Sequence, residues 1–157
     1  VADIVSDGFT RISWITSVSN PAAPTTAELN AGVALESYIT ADGLDMTTET
    51  QEVDNSALNS TQNTALVGRR GDSVELTFKS QGKAGAPWTT FASNPNGWLV
   101  RRSGLAASTA WTAAQKVTVI PCQAGYRQEM PPAANTLEKF SVKFVISGTV
   151  QDGATVA

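Results

Sequence analysis

Between Leu137 and Val150 the chain alternates with a period of two. Phe140, Val142, Phe144 and Ile146 fall on one parity, and Lys139, Ser141, Lys143 and Ser147 on the other. That is the pattern of a half-buried strand, with the first set predicted as core and the second turned to solvent or a neighbour. Asp72 to Gln81 alternates as cleanly, Val74, Leu76 and Phe78 against Ser73, Glu75, Thr77 and Lys79. From Gly8 to Val18, Phe9, Arg11, Ser13 and Ile15 oppose Thr10, Ile12, Trp14 and Thr16. Neither set is wholly apolar, so this strand is expected to meet protein on both sides. Long strands carry donors and acceptors along two edges, and each needs a partner. Closure of the terminal strand's edge is therefore a candidate for function.

The segments between these strands are punctuated. Asn20-Pro21-Ala22-Ala23-Pro24 breaks the first strand. Thr25 and Glu28 then have capping-box spacing, Pro24 and Leu29 suit a hydrophobic staple, and Gly32 suits a stop, predicting a helix over Thr26 to Ala31. Ala34 to Thr40 reads as a strand, and Asp42-Gly43 as a turn reversing it into Leu44 to Val53. Thr47 to Thr64 is polar and long for a routine connection, which predicts a projecting arm or flexible loop. Gly82 ends the following strand, Pro87 opens a short helix carrying Trp88 and Phe91, and strands resume at Trp98 to Arg102 and Lys116 to Ala124. Pro131-Pro132 forbids a tight hairpin before the final strand. About seven strands and two short helices predict a mainly β fold, an antiparallel sandwich or barrel with a long polar loop. The 157 residues suit a single domain over 1–157.

Composition narrows the chemistry. The chain has no histidine, which removes imidazole triads and His-ligated zinc. Asp42, Asp45, Glu49, Glu52 and Asp54 offer carboxylates, but mostly on the polar stretch, where a solvated acidic arm is the expected use. Cys122 has no partner for an intramolecular disulfide and lies in a predicted strand, so it reads as an inert core thiol in a chain folded in a reducing cytoplasm. No catalytic residue, cofactor or metal ligand is predicted. A net charge of −3 opposes a phosphate-gripping surface, though not one past which DNA slides. No run is long enough to span a membrane as a helix, and Val1, not being a methionine, implies processing or trimming of the start. Arg70-Gly71-Asp72 spells an adhesion tripeptide, but Gly71 reads as a turn, and the Asn59-Ser60-Thr61 sequon reads as accidental. Trp14, Trp88, Trp98 and Trp111 are read as core or interface anchors, with a ligand platform as the alternative. Arg69-Arg70 and Arg101-Arg102 are candidate contacts to acids of a neighbouring subunit, or else solvated strand ends.

The run Asn20-Pro21-Ala22-Ala23-Pro24-Thr25-Thr26-Ala27-Glu28-Leu29-Asn30-Ala31-Gly32, with Tyr38-Ile39-Thr40-Ala41-Asp42-Gly43 after it, resembles the N-terminal part of major tail tube proteins of long-tailed, siphovirus-type bacteriophages, especially those of actinobacteria. Val74 to Phe78, Gly97 to Arg102 and Phe140 to Phe144 followed by Gly148 extend the resemblance over nearly the whole chain. The resemblance implies a non-enzymatic structural virion protein: a β-sandwich with a flanking helix that forms a homohexamer, with rings stacked into a tube around the tape-measure protein. Tail-terminator or distal-tail proteins are the further partners it implies, with DNA passing through the lumen unbound during viral genome ejection. It places the protein in the virion tail, assembled in the host bacterial cytoplasm. It also assigns the polar arm, with Glu49, Glu52, Asp54, Asn55 and Asn59, to contacts between rings or subunits. The competing expectation is a monomeric adhesion or carbohydrate-binding module with a Trp-lined groove.

Overall fold

The alternating segments do form strands. A computed structural model describing residues 1–157 runs β1 (Thr10–Ile15), α1 (Thr26–Ala31), β2 (Val33–Ala34), β3 (Ile39–Asp54), β4 (Ala65–Lys79), α2 (Ala86–Thr90), β5 (Asn96–Ser103), β6 (Lys116–Glu129), β7 (Lys139–Ile146) and β8 (Gln151–Thr155). All pairings are antiparallel, in the order β2-β1-β5-β6-β7-β4-β3, with β8 added to the start of β6. β6 joins the two halves of the sheet. Its Thr118–Gln123 stretch pairs with β5, and its later residues, as far as Glu129, pair with β7. The halves lie face to face, because Trp14 of β1 meets Phe144 of β7 with ring centroids 5.6 Å apart although these strands are not sheet neighbours. The fold is thus the expected antiparallel sandwich.

The parity of β7 sets the core. Phe140, Val142 and Phe144 are buried, and Ile146 is half-buried against them. With Val74, Leu76 and Phe78 of β4 and Ile12, Trp14, Leu99 and Ile120 from the other half, they belong to one apolar cluster. Phe91 docks there from just beyond α2, edge-on to Trp14 at 5.3 Å and to Phe144 at 5.3 Å. Each such ring contributes about 1.5–3 kcal/mol by leaving water, and each edge-to-face pair about 0.5–1.5 kcal/mol more. A second cluster, Ile15, Leu29, Val100, Trp111, Val117, Val119, Ala154 and Val156, covers the opposite face of β1, β5 and β6. The mixed pattern of β1 has this cause: Ile12 and Trp14 serve one cluster and Ile15 the other.

α1 forms at the predicted bounds. The Thr25 hydroxyl accepts from the Glu28 amide at 3.2 Å, and the Glu28 carboxylate accepts from the Thr25 amide at 3.0 Å. These bonds, with those from Ser19, hold the Glu28 carboxyl below its usual range. The staple pair, Pro24 and Leu29, is buried.

Several expectations are corrected. Asp42-Gly43 is not a hairpin turn: β3 runs through it, and Thr40–Gly43 bulges out opposite Thr77 alone. Gly43 is needed there for close approach, since a Cβ would lie 2.5 Å from the Thr77 carbonyl oxygen. Of the predicted strand at Ala34 to Thr40, only Ala34, ending β2, and Ile39 and Thr40, opening β3, are extended, with a turn at residues 36–38 between them. Gly71 is no turn either, because it pairs with Glu49 inside β4. Thr47–Asp54 is strand rather than loop: its threonines and valine suit an extended chain, and residues 65–73 supply the partner. An eighth strand that periodicity did not indicate, β8, follows Gly148, and its Ala154 is buried, as is Val156 beyond it. Ser141, expected in solvent, is 8% exposed in a row between Thr77 and Gln128. Lastly, β7 lies between β4 and β6, so the terminal strand has no open edge.

Cys122 is fully buried, and burial pushes its thiol up to about 12. It is expected to ignore a water-soluble disulfide reagent at pH 8 in the folded protein and to react once in denaturant, which a thiol titration reads directly. Phe144→Ala should cost about 3–5 kcal/mol in urea unfolding. The exposed neighbour change Val145→Ser should stay within about 0.5 kcal/mol.

Candidate functional site

Two features of the surface belong to no core: a long arm and a pair of free sheet edges. The arm is the outer part of the β3–β4 hairpin, where residues 47–67 are almost all exposed on both faces. Its tip is ordered by local bonds. The Asp54 carboxylate accepts from the Ser56 amide at 2.8 Å, which lowers its pKa, and the Asn55 side chain accepts from the Thr64 hydroxyl at 2.7 Å. Glu49, Glu52 and Asp54 are strand residues along the arm, whereas Asn55 and Asn59 lie in its end loop. The arm also displays Val53 opposite Leu66, with Val67 and Leu58 nearby in sequence, all more than half exposed. A narrow hairpin cannot bury these side chains against itself. Their exposure was obscured in the sequence by the polar composition around them.

The edges follow from the topology. β3 pairs with β4 on one side and has no strand on the other, over sixteen residues. At the far side of the same half, β6 loses β5 after Gln123, the Ala124 amide still donates to the Pro95 carbonyl at 3.0 Å, and no strand lies beside residues 125–129. The half made of β3, β4, β7 and this part of β6 thus ends in two unpaired ladders. Apart from the exposed Val145, its outward face is polar, with Asp45, Glu75 and Lys143 aligned across β3, β4 and β7, Lys79 opposite Lys139, and Thr47, Ser73, Thr77, Gln123 and Gln128 around them.

The four arginines divide. Arg102 is 1% exposed and is committed to its own chain, donating to the carbonyls of Ala106, Thr109 and Ala110 and to the Gln115 side chain. Arg11, its cross-strand partner, donates to the same Thr109 carbonyl at 2.6 Å, and both guanidiniums stand 4.9 Å from the Trp111 ring. This pair clamps the loop between β5 and β6, and burial with the nearby Arg11 charge lowers the Arg102 pKa. The expectation of a solvated end or intersubunit contact is therefore corrected for Arg102. Arg101 is half-buried at the mouth between the layers, with Nη1 3.8 Å from the Met46 sulfur and Nε unpartnered. Arg69 is exposed, and Arg70 pairs with Asp72 and Asp152.

Each tryptophan has a protein partner. Trp14 and Trp111 are buried, Trp98 packs on the second cluster, and Trp88 lies between the cations of Lys83 and Arg127, 3.8 and 4.1 Å from its ring. They are distributed over two cores and α2, so they do not line the common groove that a carbohydrate-binding module requires.

No curated protein matches the chain in sequence. In fold it is similar to a chain of the cryo-EM structure of the anti-feeding prophage (AFP) baseplate, 6-fold symmetrised, with a TM-score of 0.58 at 10% identity over 94% of this chain and 95% of that one. The family model described as phage tail tube protein matches residues 1–157. The chain belongs to the phage tail tube protein family and is a structural component of the virion tail.

Proposed function

We propose that the protein closes into a hexameric ring by joining the free edge of β3 in one copy to the free edge of β6 in the next, and that these rings stack into the tail tube. One observation carries the reading: the half-sheet between those edges has four strands, β3, β4, β7 and β6, each antiparallel to its neighbour. Because the number is even, β3 and β6 run in opposite directions. A copy placed beside another in the same orientation therefore continues the antiparallel pattern, and every joint around the ring is identical. Such heterologous contacts close under cyclic symmetry and satisfy ladders that otherwise invite uncontrolled pairing. Six copies per ring is the number implied by the resemblance to siphovirus tail tubes.

In this arrangement the polar face of the half-sheet lines the lumen. On it Glu75 stands between Asp45 and Lys143, and Lys79 stands opposite Lys139 in a further row, so phosphate meets charges of both signs rather than a continuous cationic track. DNA passes through without specific binding, after the tape-measure protein has left. The arm reaches another copy, presenting Val53, Leu66 and Val67 beside Glu49, Glu52 and Asp54, with Asn55 and Asn59 at its end. Arg69 and Arg101 are available to receive acids of a neighbour. Tail-terminator or distal-tail proteins meet the end rings, and the whole assembles in the host bacterial cytoplasm. The role is structural rather than catalytic, and chain 1–157 acts as one domain.

Negative-stain microscopy of concentrated protein should show tubes. Deleting Asn55 to Gln62 should leave a folded subunit, judged by circular dichroism, that forms none. Normal tubes from the deletion variant would overturn the role given to the arm.

A further inference from the structure

The arm is fastened to the body at one place. Arg70, on β4 just inside the arm, grips the carboxylate of Asp152 on β8 with both terminal nitrogens, Nη2 donating to Oδ1 at 3.1 Å and Nη1 to Oδ2. The same guanidinium donates to Asp72 from Nε at 3.1 Å and Nη2 at 3.0 Å, and Asp72 also accepts from the Thr48 hydroxyl at 2.9 Å. Thr48, Asp72, Arg70 and Asp152 thus form one chain of contacts from β3 to β8. β4 and β8 share no backbone hydrogen bonds, so this ion pair spans the two halves of the sandwich. It roofs a cavity of about 170 Å³ bordered by Met46, Arg101, Ile120 and Val150.

Both ends of the contact are placed to matter. On the body side, β8 is held firmly: Ala154 is buried, Val117 pairs with it, and the Thr155 amide donates to the Ala22 carbonyl at 3.1 Å. On the arm side, the ladder is interrupted immediately outside Arg70. Gly68 and Arg69 stand opposite Gln51 alone, a β-bulge that bends the hairpin. Beyond it, the hydrogen bonds join the hairpin only to itself. An isolated exposed ion pair contributes little to stability, but a bidentate arginine contact in a network fixes geometry.

We propose that Arg70 and Asp152 form a latch that sets the bearing of the arm on the body, making the C-terminal strand a positioning element for the arm. The guanidinium is held by two carboxylates, which raise its pKa, and it holds the Asp152 carboxyl below its usual range. Arg70 and Asp152 are positioning residues: they direct the arm without being its contact surface. The consequence for assembly rests on the reading of the arm given above, whereas the latch itself is a property of the single subunit.

The test uses spin labels at Ser60→Cys in the arm tip and Ser103→Cys at the end of β5, leaving the buried Cys122 unlabelled, with dilute protein and pulsed electron resonance distances. The latched protein should give one narrow distance peak. Asp152→Asn should lose that peak to a broad distribution without loss of the folded β spectrum, and Asp152→Glu should retain it. An equally narrow, unmoved peak in Asp152→Asn would overturn the latch. Tube growth is then followed by light scattering in the unlabelled variants. A broad distribution with slowed growth supports the latch and its place in assembly. A broad distribution with unchanged growth supports the latch and overturns the claim that the arm's bearing governs assembly.

Discussion

An antiparallel sheet can be satisfied everywhere except at its edges, and this chain leaves two edges of one half-sheet without strands. A buried peptide group without a partner costs free energy of the order of a lost hydrogen bond; in water the cost is deferred, since solvent pairs with it. β3 carries that condition over sixteen residues, far longer than the short edge strands by which β-proteins commonly avoid unwanted pairing. Its twin at residues 125–129 of β6 is shorter and lies past the point where β5 ends. If β3 meets the β6 edge of a second copy, as proposed, the four-strand count between the edges orients that copy the same way as the first.

The rest of the molecule keeps those edges in place. Aromatic contacts among Trp14, Phe78, Phe91, Phe140 and Phe144 lock the half-sheet that bears the edges against β1 and β5. The second core secures α1 and the C-terminal segment on the far face. Arg11 and Arg102, two like charges side by side, are tolerated because both donate to carbonyls of the β5–β6 loop, Glu36 lies 4.0 Å from Arg11, and the Trp111 ring lies near both. The second core and the loop clamp lie away from the free edges, which separates what folds the subunit from what remains for its partners.

Much of this was legible in the residues. The alternation at Phe140 to Ile146 and Val74 to Phe78 located the core, the Thr25/Glu28 box located α1, and the mixed faces of β1 foretold its two cores. What escaped was set by distant partners. Asp42-Gly43 has turn chemistry, yet the ladder with β4 continues past it and uses the glycine for close approach to Thr77. Thr47 to Asp54 lacks an apolar face, so periodicity had nothing to register, and its strand depends on Ala65 to Ser73. Nor could spacing show that β7 is interior, since an edge is a property of sheet order. Arg70 and Arg102 look alike beside their arginine neighbours, and only the fold brings Asp152 to one and loop carbonyls to the other.

The central claim is that the free edge of β3 is where subunits join. Amide hydrogen exchange, resolved by peptide across β3 and compared between dilute subunits and assembled protein, tests it most directly. The account predicts that peptides covering Leu44 to Thr50 gain protection on assembly, together with those covering Gly125 to Glu129 of β6. Assembled protein in which both stretches exchange as fast as in the dilute subunit would contradict it.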